Sequence, residues 1–280
     1  MRSFMTRGRF ALLTTVIMAG AGLVLSPGQA QEKASGARSD AKSLEKPLAA
    51  VYYGQAAAQA DTQSVEGLIG QGSGDTWACA SCHGDRGQGA ENVPRLAGLP
   101  AGYITKQLHD YANRRRLNDN MQYVVEGLTD DQMAALGRYY AEMESPSSAR
   151  PGLSGDLDRG RELALQGDWS LDVPACYSCH GSSGWGVGQA FPALAGQHPS
   201  YTYNQLASWK SGRRANSPIN LMHNVAMALS EHDMRSVADY LASLPAAPGG
   251  RQAGLDTPAP GQLPPVERAA SSQQGSADHE

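Results

Sequence analysis

The stretch "CASCHG", Cys79 to Gly84, returns as "CYSCHG", Cys176 to Gly181, and these four cysteines are the only ones in the 280 residues. The copy extends well past the motif. "VPRLAG" (93–98) matches "FPALAG" (191–196), and Tyr103, Gln107 and Leu108 match Tyr201, Gln205 and Leu206. Arg115-Arg116 match Arg213-Arg214. After an insertion of three residues, "MQYVVEGLTDDQM" from Met121 matches "MHNVAMALSEHDM" from Met222, and each copy closes near a tyrosine, Tyr139 or Tyr240. A repeat of this kind means one small structural unit used twice, so the chain is confined to two tandem domains of under about a hundred residues each.

Three chemistries use two thiols three residues apart. A thioredoxin-like redox pair needs a βαβ context, which is missing, and leaves the adjacent histidine unexplained. A structural zinc site draws on two such pairs close together, whereas here each pair sits in its own complete repeat. The third is covalent attachment of c-type haem, in which the thiols add to the vinyl groups and the next residue, histidine, reaches the iron; C-x-x-C-H is its signature. Two copies with no spare cysteine select this reading: Cys79, Cys82, Cys176 and Cys179 attach two haem c groups, and His83 and His180 ligate the irons. A tethered macrocycle also supplies interior to domains too small to bury much of their own, in a chain with only 6% aromatics.

Residues 1–30 read as a cleavable signal peptide. Arg2, Arg7 and Arg9 precede the uncharged run 11–25, and Gly28 and Ala30 mark a cut. The run is shorter than the ~20 residues of a membrane span. Removing residues 1–30 takes away three arginines and no acid, which moves the formal charge from −4 to −7. That acidity argues against nucleic acid as a partner. Export places the mature chain in the periplasm, where thiols are oxidised unless occupied. Composition then divides the rest: a flexible leader (31–60), a first domain (61–147), a linker (148–155), a second domain (156–246) and a disordered Pro-rich tail (247–280).

The elements read as short helices. "LTDDQ" and "LSEHD" carry capping-type starts at Thr129/Gln132 and Ser230/Asp233. Met133, Leu136 and Tyr140, then Met234, Val237 and Leu241, follow on one helical face. A second helix pair spans about 103–111 and 201–209, and strand alternation is absent. Each iron needs a ligand opposite its histidine, and methionine is the expected partner in an electron carrier. Met121 and Met222 hold the same place in both copies and are the candidates. Met133 and Met234 fit the helical core instead. Met227 and His223 are weaker candidates in the second copy, because their counterparts are Glu126 and Gln122. Pro94 and Pro192 could each offer a carbonyl to the histidine or be simple loop prolines. Arg115, Arg116, Arg213 and Arg214 could pair with haem propionates or form a solvated helix face.

With "CASCHG" and "CYSCHG", "P-x-L-A-G" followed by Tyr and "QL", "RR-x-N", and "L-[TS]-x-x-[DQ]-M", the chain resembles the dihaem cytochrome c4 family of class I c-type cytochromes over about residues 62–245. The resemblance implies an all-α fold of two tandem class I cytochrome c domains. Each would wrap one covalently bound haem c, with the haems close at the domain interface. It implies axial pairs His83–Met121 and His180–Met222, with the Pro94 and Pro192 carbonyls orienting the histidines. It implies a periplasmic electron carrier between a quinol-oxidising cytochrome complex or a periplasmic dehydrogenase and a terminal oxidase, loosely membrane-associated in some members. Two alternatives stand beside it: an electron-accepting subunit of a periplasmic dehydrogenase, and a dihaem peroxidase or thiosulfate dehydrogenase. The second needs an open or unusual iron site. Every cysteine is already used in attachment, the two copies carry equivalent ligand candidates, and no acid–base cluster is duplicated. The expectation is therefore a carrier and not an enzyme.

Overall fold

The computed structural model describes residues 49–250. Residues 1–48 and 251–280, which hold the expected signal peptide, most of the expected leader and most of the expected tail, lie outside these residues. The first repeat runs α1 (Ala49–Gln59), a 3-10 turn (Thr62–Val65), α2 (Glu66–Gln71), α3 (Ala80–His83), α4 (Ala101–Ala112), α5 (Asp119–Glu126) and α6 (Asp130–Glu142). The second runs α7 (Leu157–Leu165), β1 (Gly167–Asp168), β2 (Val173–Pro174), α8 (Cys176–His180), α9 (Pro199–Lys210), α10 (Leu221–Ala228) and α11 (Glu231–Ala242). The two strands pair antiparallel as one short hairpin around a 3-10 turn at Trp169–Leu171.

The closing helices start where the sequence places them. The Thr129 hydroxyl accepts from the Gln132 amide while the Gln132 side chain accepts from the Thr129 amide, and Ser230 and Asp233 repeat the exchange at α11. Their expected faces are inward: Met133, Leu136 and Tyr140, like Met234, Val237 and Leu241, are all buried. These residues anchor two cores. Val65, Leu68, Ile69, Ile104 and Val125 complete the first, and Leu163, Val173, Leu206 and Leu229 the second.

Glycine permits a close helix crossing in each repeat. In the second, α7 crosses α11 at Gly160, where an added Cβ would lie 2.1 Å from the Ser236 carbonyl oxygen. In the first, Gly137 of α6 meets α4, and its Cβ would lie 2.2 Å from the Thr105 hydroxyl. The first repeat has only the six-residue α2 and a 3-10 turn where the second has α7, and α1 packs against α4 and α6 beside them.

Three stretches expected to be loose are ordered within the described residues. Residues 49–59 of the leader form α1, with Ala57 fully buried. The linker is clamped: the Gly152, Leu153 and Gly155 amides all donate to the buried Asp239 carboxylate at 2.8–3.0 Å. The start of the tail returns to the first repeat. Ala247 joins the first core, and the Gly250 amide donates to the Ala141 carbonyl. Composition fails at all three because an Ala/Gln, Ser/Gly or Pro/Gly segment is ordered by what it packs on, not by its own residues.

Candidate functional site

Each C-x-x-C-H motif forms a single helical turn, α3 or α8. A serine fixes the start of both: Ser81 Oγ donates to the Ala78 carbonyl and Ser178 Oγ to the Ala175 carbonyl, each at 2.6 Å. One turn brings the first cysteine and the histidine, four residues apart, onto one face with the second cysteine beside them. Glycine ends both turns, Gly84 at φ 77° and Gly181 at φ 82°. The following loops fold back identically, with the Gly89 amide donating to the His83 carbonyl and the Gly186 amide to the His180 carbonyl, both at 2.8 Å.

The loop prolines resolve as orienting groups. His83 Nδ1 lies 2.9 Å from the Pro94 carbonyl oxygen and His180 Nδ1 lies 2.8 Å from that of Pro192. Donation from Nδ1 leaves the Nε2 lone pair for a metal. Both histidines are buried, and burial holds them below the ordinary imidazole range, so they stay neutral. Burial likewise pushes the Cys79 thiol up, and the Cys176 thiol to about 11. Such thiols are poor thiolates, which opposes a redox pair. Among the described residues, no group of three or more His, Cys, Asp or Glu side chains converges as a metal cluster, which opposes zinc.

In the second repeat, Cys176, Cys179, His180, Pro192 and Met222 line one apolar cavity of about 400 Å³. Trp209 lines it too, and its buried indole N–H has no hydrogen-bond partner among the described residues. An orphaned donor in an apolar cavity, facing two thiols and an unprotonated imidazole nitrogen, fits a large apolar group that carries acceptors at one edge. Haem c is such a group. In the first repeat Cys79 and Met121 each pack against the core, and the buried Tyr140 side chain lies beside Cys79. Met222 therefore shares the cavity with His180. Met227 is half exposed in a separate surface groove, and His223 Nδ1 is held by the Trp209 carbonyl at 2.8 Å.

The duplicated "Y…QL…RR" residues meet each other across the repeats. Arg116 donates to Tyr201 Oη and Gln205 Oε1 of the second repeat, both at 2.8 Å, and to Gln107 Oε1 of its own at 3.0 Å. Arg214 mirrors it, donating to Tyr103 Oη at 3.2 Å, Gln107 Oε1 at 3.0 Å and Gln205 Oε1 at 3.0 Å. Their backbones form an antiparallel bridge, and each guanidinium stacks on its own repeat's aromatic ring: Arg116 on Tyr111 and Arg214 on Trp209. Burial alone would raise Tyr103, but the Arg214 and Arg116 guanidiniums outweigh it and hold it below the usual phenol range. Arg115 is half exposed on Asp110, so only the second arginine of each pair enters the interface. Tyr103 and Gln107 of the first repeat also line the second repeat's cavity. Sequence comparison missed Trp209, because its counterpart Tyr111 breaks the repeat at that position.

The cytochrome c family model matches residues 70–143 and 157–245. A thiosulfate dehydrogenase electron acceptor from Stutzerimonas stutzeri is 39% identical over 72% of this chain and 96% of its own length. A cytochrome c4 from Thiocapsa roseopersicina is 37% identical over 59% of this chain and 86% of its own. Among solved structures, the thiosulfate dehydrogenase TsdBA of Marichromatium purpuratum aligns at 38% identity and a TM-score of 0.64; it covers 66% of this chain, which spans 40% of that longer one. Reduced cytochrome c4 from Pseudomonas stutzeri aligns at 29% identity and a TM-score of 0.59 over 66% of this chain and 99% of its own.

Proposed function

Because this chain belongs to the dihaem cytochrome c4 family, with two tandem helical cytochrome c domains and two covalent haem c groups, we propose that it accepts electrons from a periplasmic thiosulfate dehydrogenase and passes them on toward a terminal oxidase. When bound, the haems supply reversible one-electron chemistry. The chain's own residues do the rest. Cys79 and Cys82, then Cys176 and Cys179, would hold the groups as thioethers. His83 with Met121, and His180 with Met222, would be the axial pairs. The Pro94 and Pro192 carbonyls keep each imidazole oriented, and burial keeps it neutral. Arg116, Arg214 and Trp209 would neutralise and bind propionates at the interface, in a setting from which water is largely excluded.

The observation that carries the carrier reading is the reciprocal interface. Two equivalent sites are locked against each other through Arg116 and Arg214, an arrangement suited to relaying electrons between them. The likeness to two thiosulfate dehydrogenase electron acceptors, and to part of a thiosulfate dehydrogenase chain, supports the choice of donor. The cytochrome c4 relatives support a second reading, in which a quinol-oxidising complex is the donor. Periplasmic location rests on the signal-like residues 1–30.

Stopped-flow reduction of the haem-loaded protein separates these readings. Thiosulfate with catalytic thiosulfate dehydrogenase should reduce both haems, and thiosulfate alone should not. Saturable reduction or turnover by thiosulfate without the dehydrogenase would sink the carrier reading. Reduction only by a quinol-oxidising complex would transfer the donor role to the second reading.

A further inference from the structure

Trp77 and Tyr123 form an aromatic pair at the surface of the first domain, with ring centroids 4.8 Å apart. They are 49% and 42% exposed, unusual for rings of this size. Trp77 lies two residues before Cys79, and Tyr123 two residues after Met121, so the pair lies on the rim formed by the two segments that carry these candidate haem residues.

Carboxylates frame the pair. Asp119 precedes Tyr123 by four residues in α5, which puts both on one helical face. Thr76 packs so closely on Gly127 that an added Cβ there would lie 2.0 Å from its hydroxyl, which brings their chain neighbours Asp75 and Glu126 to either side of the contact. Asp75, Asp119 and Glu126 are all exposed. Residues 66–83 and 117–137, which build this rim, hold six acids and no lysine or arginine.

The second domain does not repeat the pattern. The positions of Trp77, Tyr123, Asp119 and Glu126 are taken by Pro174, Asn224, Asn220 and Met227, and only Asp75 keeps a carboxylate counterpart, Asp172. There the Lys210 ammonium donates to the Met227 carbonyl. The two domains thus differ at equivalent places: an aromatic pair framed by three carboxylates on the first, and an amide, a thioether and the single carboxylate Asp172 beside a lysine on the second.

We propose that the Trp77–Tyr123 face is a docking surface for a redox protein that carries lysine or arginine side chains around its own electron-exchange edge. This rests on the carrier reading and names its partner's chemistry. The acidic frame steers and orients the basic partner, and the exposed rings supply a desolvating centre against which the two edges pack. The contact is small and weakly held, as rapid turnover of partners requires.

The test uses the haem-loaded full chain. The probe is a small reduced cytochrome c with a lysine ring around its haem edge, and the same cytochrome with its lysines acetylated serves as control. Electron exchange at low ionic strength is followed by stopped flow, with binding measured by calorimetry. The triple variant Asp75→Asn, Asp119→Asn, Glu126→Gln should slow exchange with the basic probe about tenfold and flatten its salt dependence. It should leave exchange with the acetylated probe unchanged. Trp77→Ala with Tyr123→Ala should weaken binding even at high salt. The matched second-domain variant Asp158→Asn, Asp172→Asn, Glu231→Gln should do neither. Haem content and absorbance spectra establish that each variant is folded. Fast exchange indifferent to the first-domain carboxylates, or equally sensitive to the second-domain set, overturns the docking surface and leaves the carrier role standing. Absence of exchange with either probe overturns both.

Discussion

Asp239 and Arg138 occupy the same place in the two repeats and carry opposite charges, yet they do one job. Asp239 accepts three amides from the segment leading into α7, while Arg138 donates to the Ala58 and Ala60 carbonyls of the segment leading into the first repeat. Each ties the lead-in to the closing helix. Asp239→Ala would remove the shared acceptor of three part-buried amides and should cost roughly 1–3 kcal/mol, read from denaturant unfolding of the haem-loaded protein. The axial assignment is tested at the same scale. Met222→Ala should remove about half of the far-red charge-transfer absorption of ferric haem and lower one midpoint potential. His223→Ala should change neither, because that imidazole serves the Trp209 carbonyl. The reverse outcome would move the ligand to His223. Cysteines, histidines and methionines could be found from sequence because their chemistry demands fixed spacing. Asp239 could not, because its partners are backbone amides 84 to 87 residues away, and any sequence supplies those.

Helices whose ends carry their own signals, α6 and α11, were legible from capping residues and period. Helix α1 was not. Its Ala- and Gln-rich sequence has a weak apolar face, and it is held by close approach to α4, where a Cβ on Gly102 would fall 2.0 Å from the Ala50 carbonyl oxygen. His109 of α4 stacks on Tyr53 of α1 with ring centroids 4.3 Å apart. Burial holds this imidazole below its ordinary 6.5, although Asp130 and Asp110 pull the other way. The neutral ring is the one the fold favours. Its contribution is therefore complete above about pH 6.5, the unfolded value, and is lost as acid drives protonation toward the lower folded value. The hydrogen-exchange protection factors of residues 49–59, taken against the intrinsic rate at each pH, should fall on acidification across that window, and His109→Phe should abolish the dependence. An unchanged profile in that variant would assign the effect to other groups. At the α7–α11 crossing, Gly160→Ala forces a methyl onto the Ser236 carbonyl and should destabilise the second domain by about 1–3 kcal/mol in thermal unfolding.

Across the whole molecule, the interface is written in the repeat itself: Tyr103, Gln107 and Arg116 with Tyr201, Gln205 and Arg214. Sequence reading marked these residues as duplicated and left the arginines' role open, because a repeat reveals likeness and not contact. Arg116→Gln should leave Tyr201 without its arginine donor and Gln205 with Arg214 alone, lower the melting temperature by an amount equivalent to about 2 kcal/mol, and shift the second haem's potential as well as the first. A shift confined to the first haem would show that the exchange across the interface is not coupled to the second site. Gene duplication ordinarily leaves either copy free to be discarded. Here each copy's arginine finds its hydroxyl and amide acceptors in the other, and residues 247–250 at the end of the second copy pack on the first. Deleting one copy would strip the survivor's arginine of its tyrosine and of one of its two glutamine acceptors and would expose the face they close, so the doubling acts as a ratchet: halves that complete each other are no longer separable without loss.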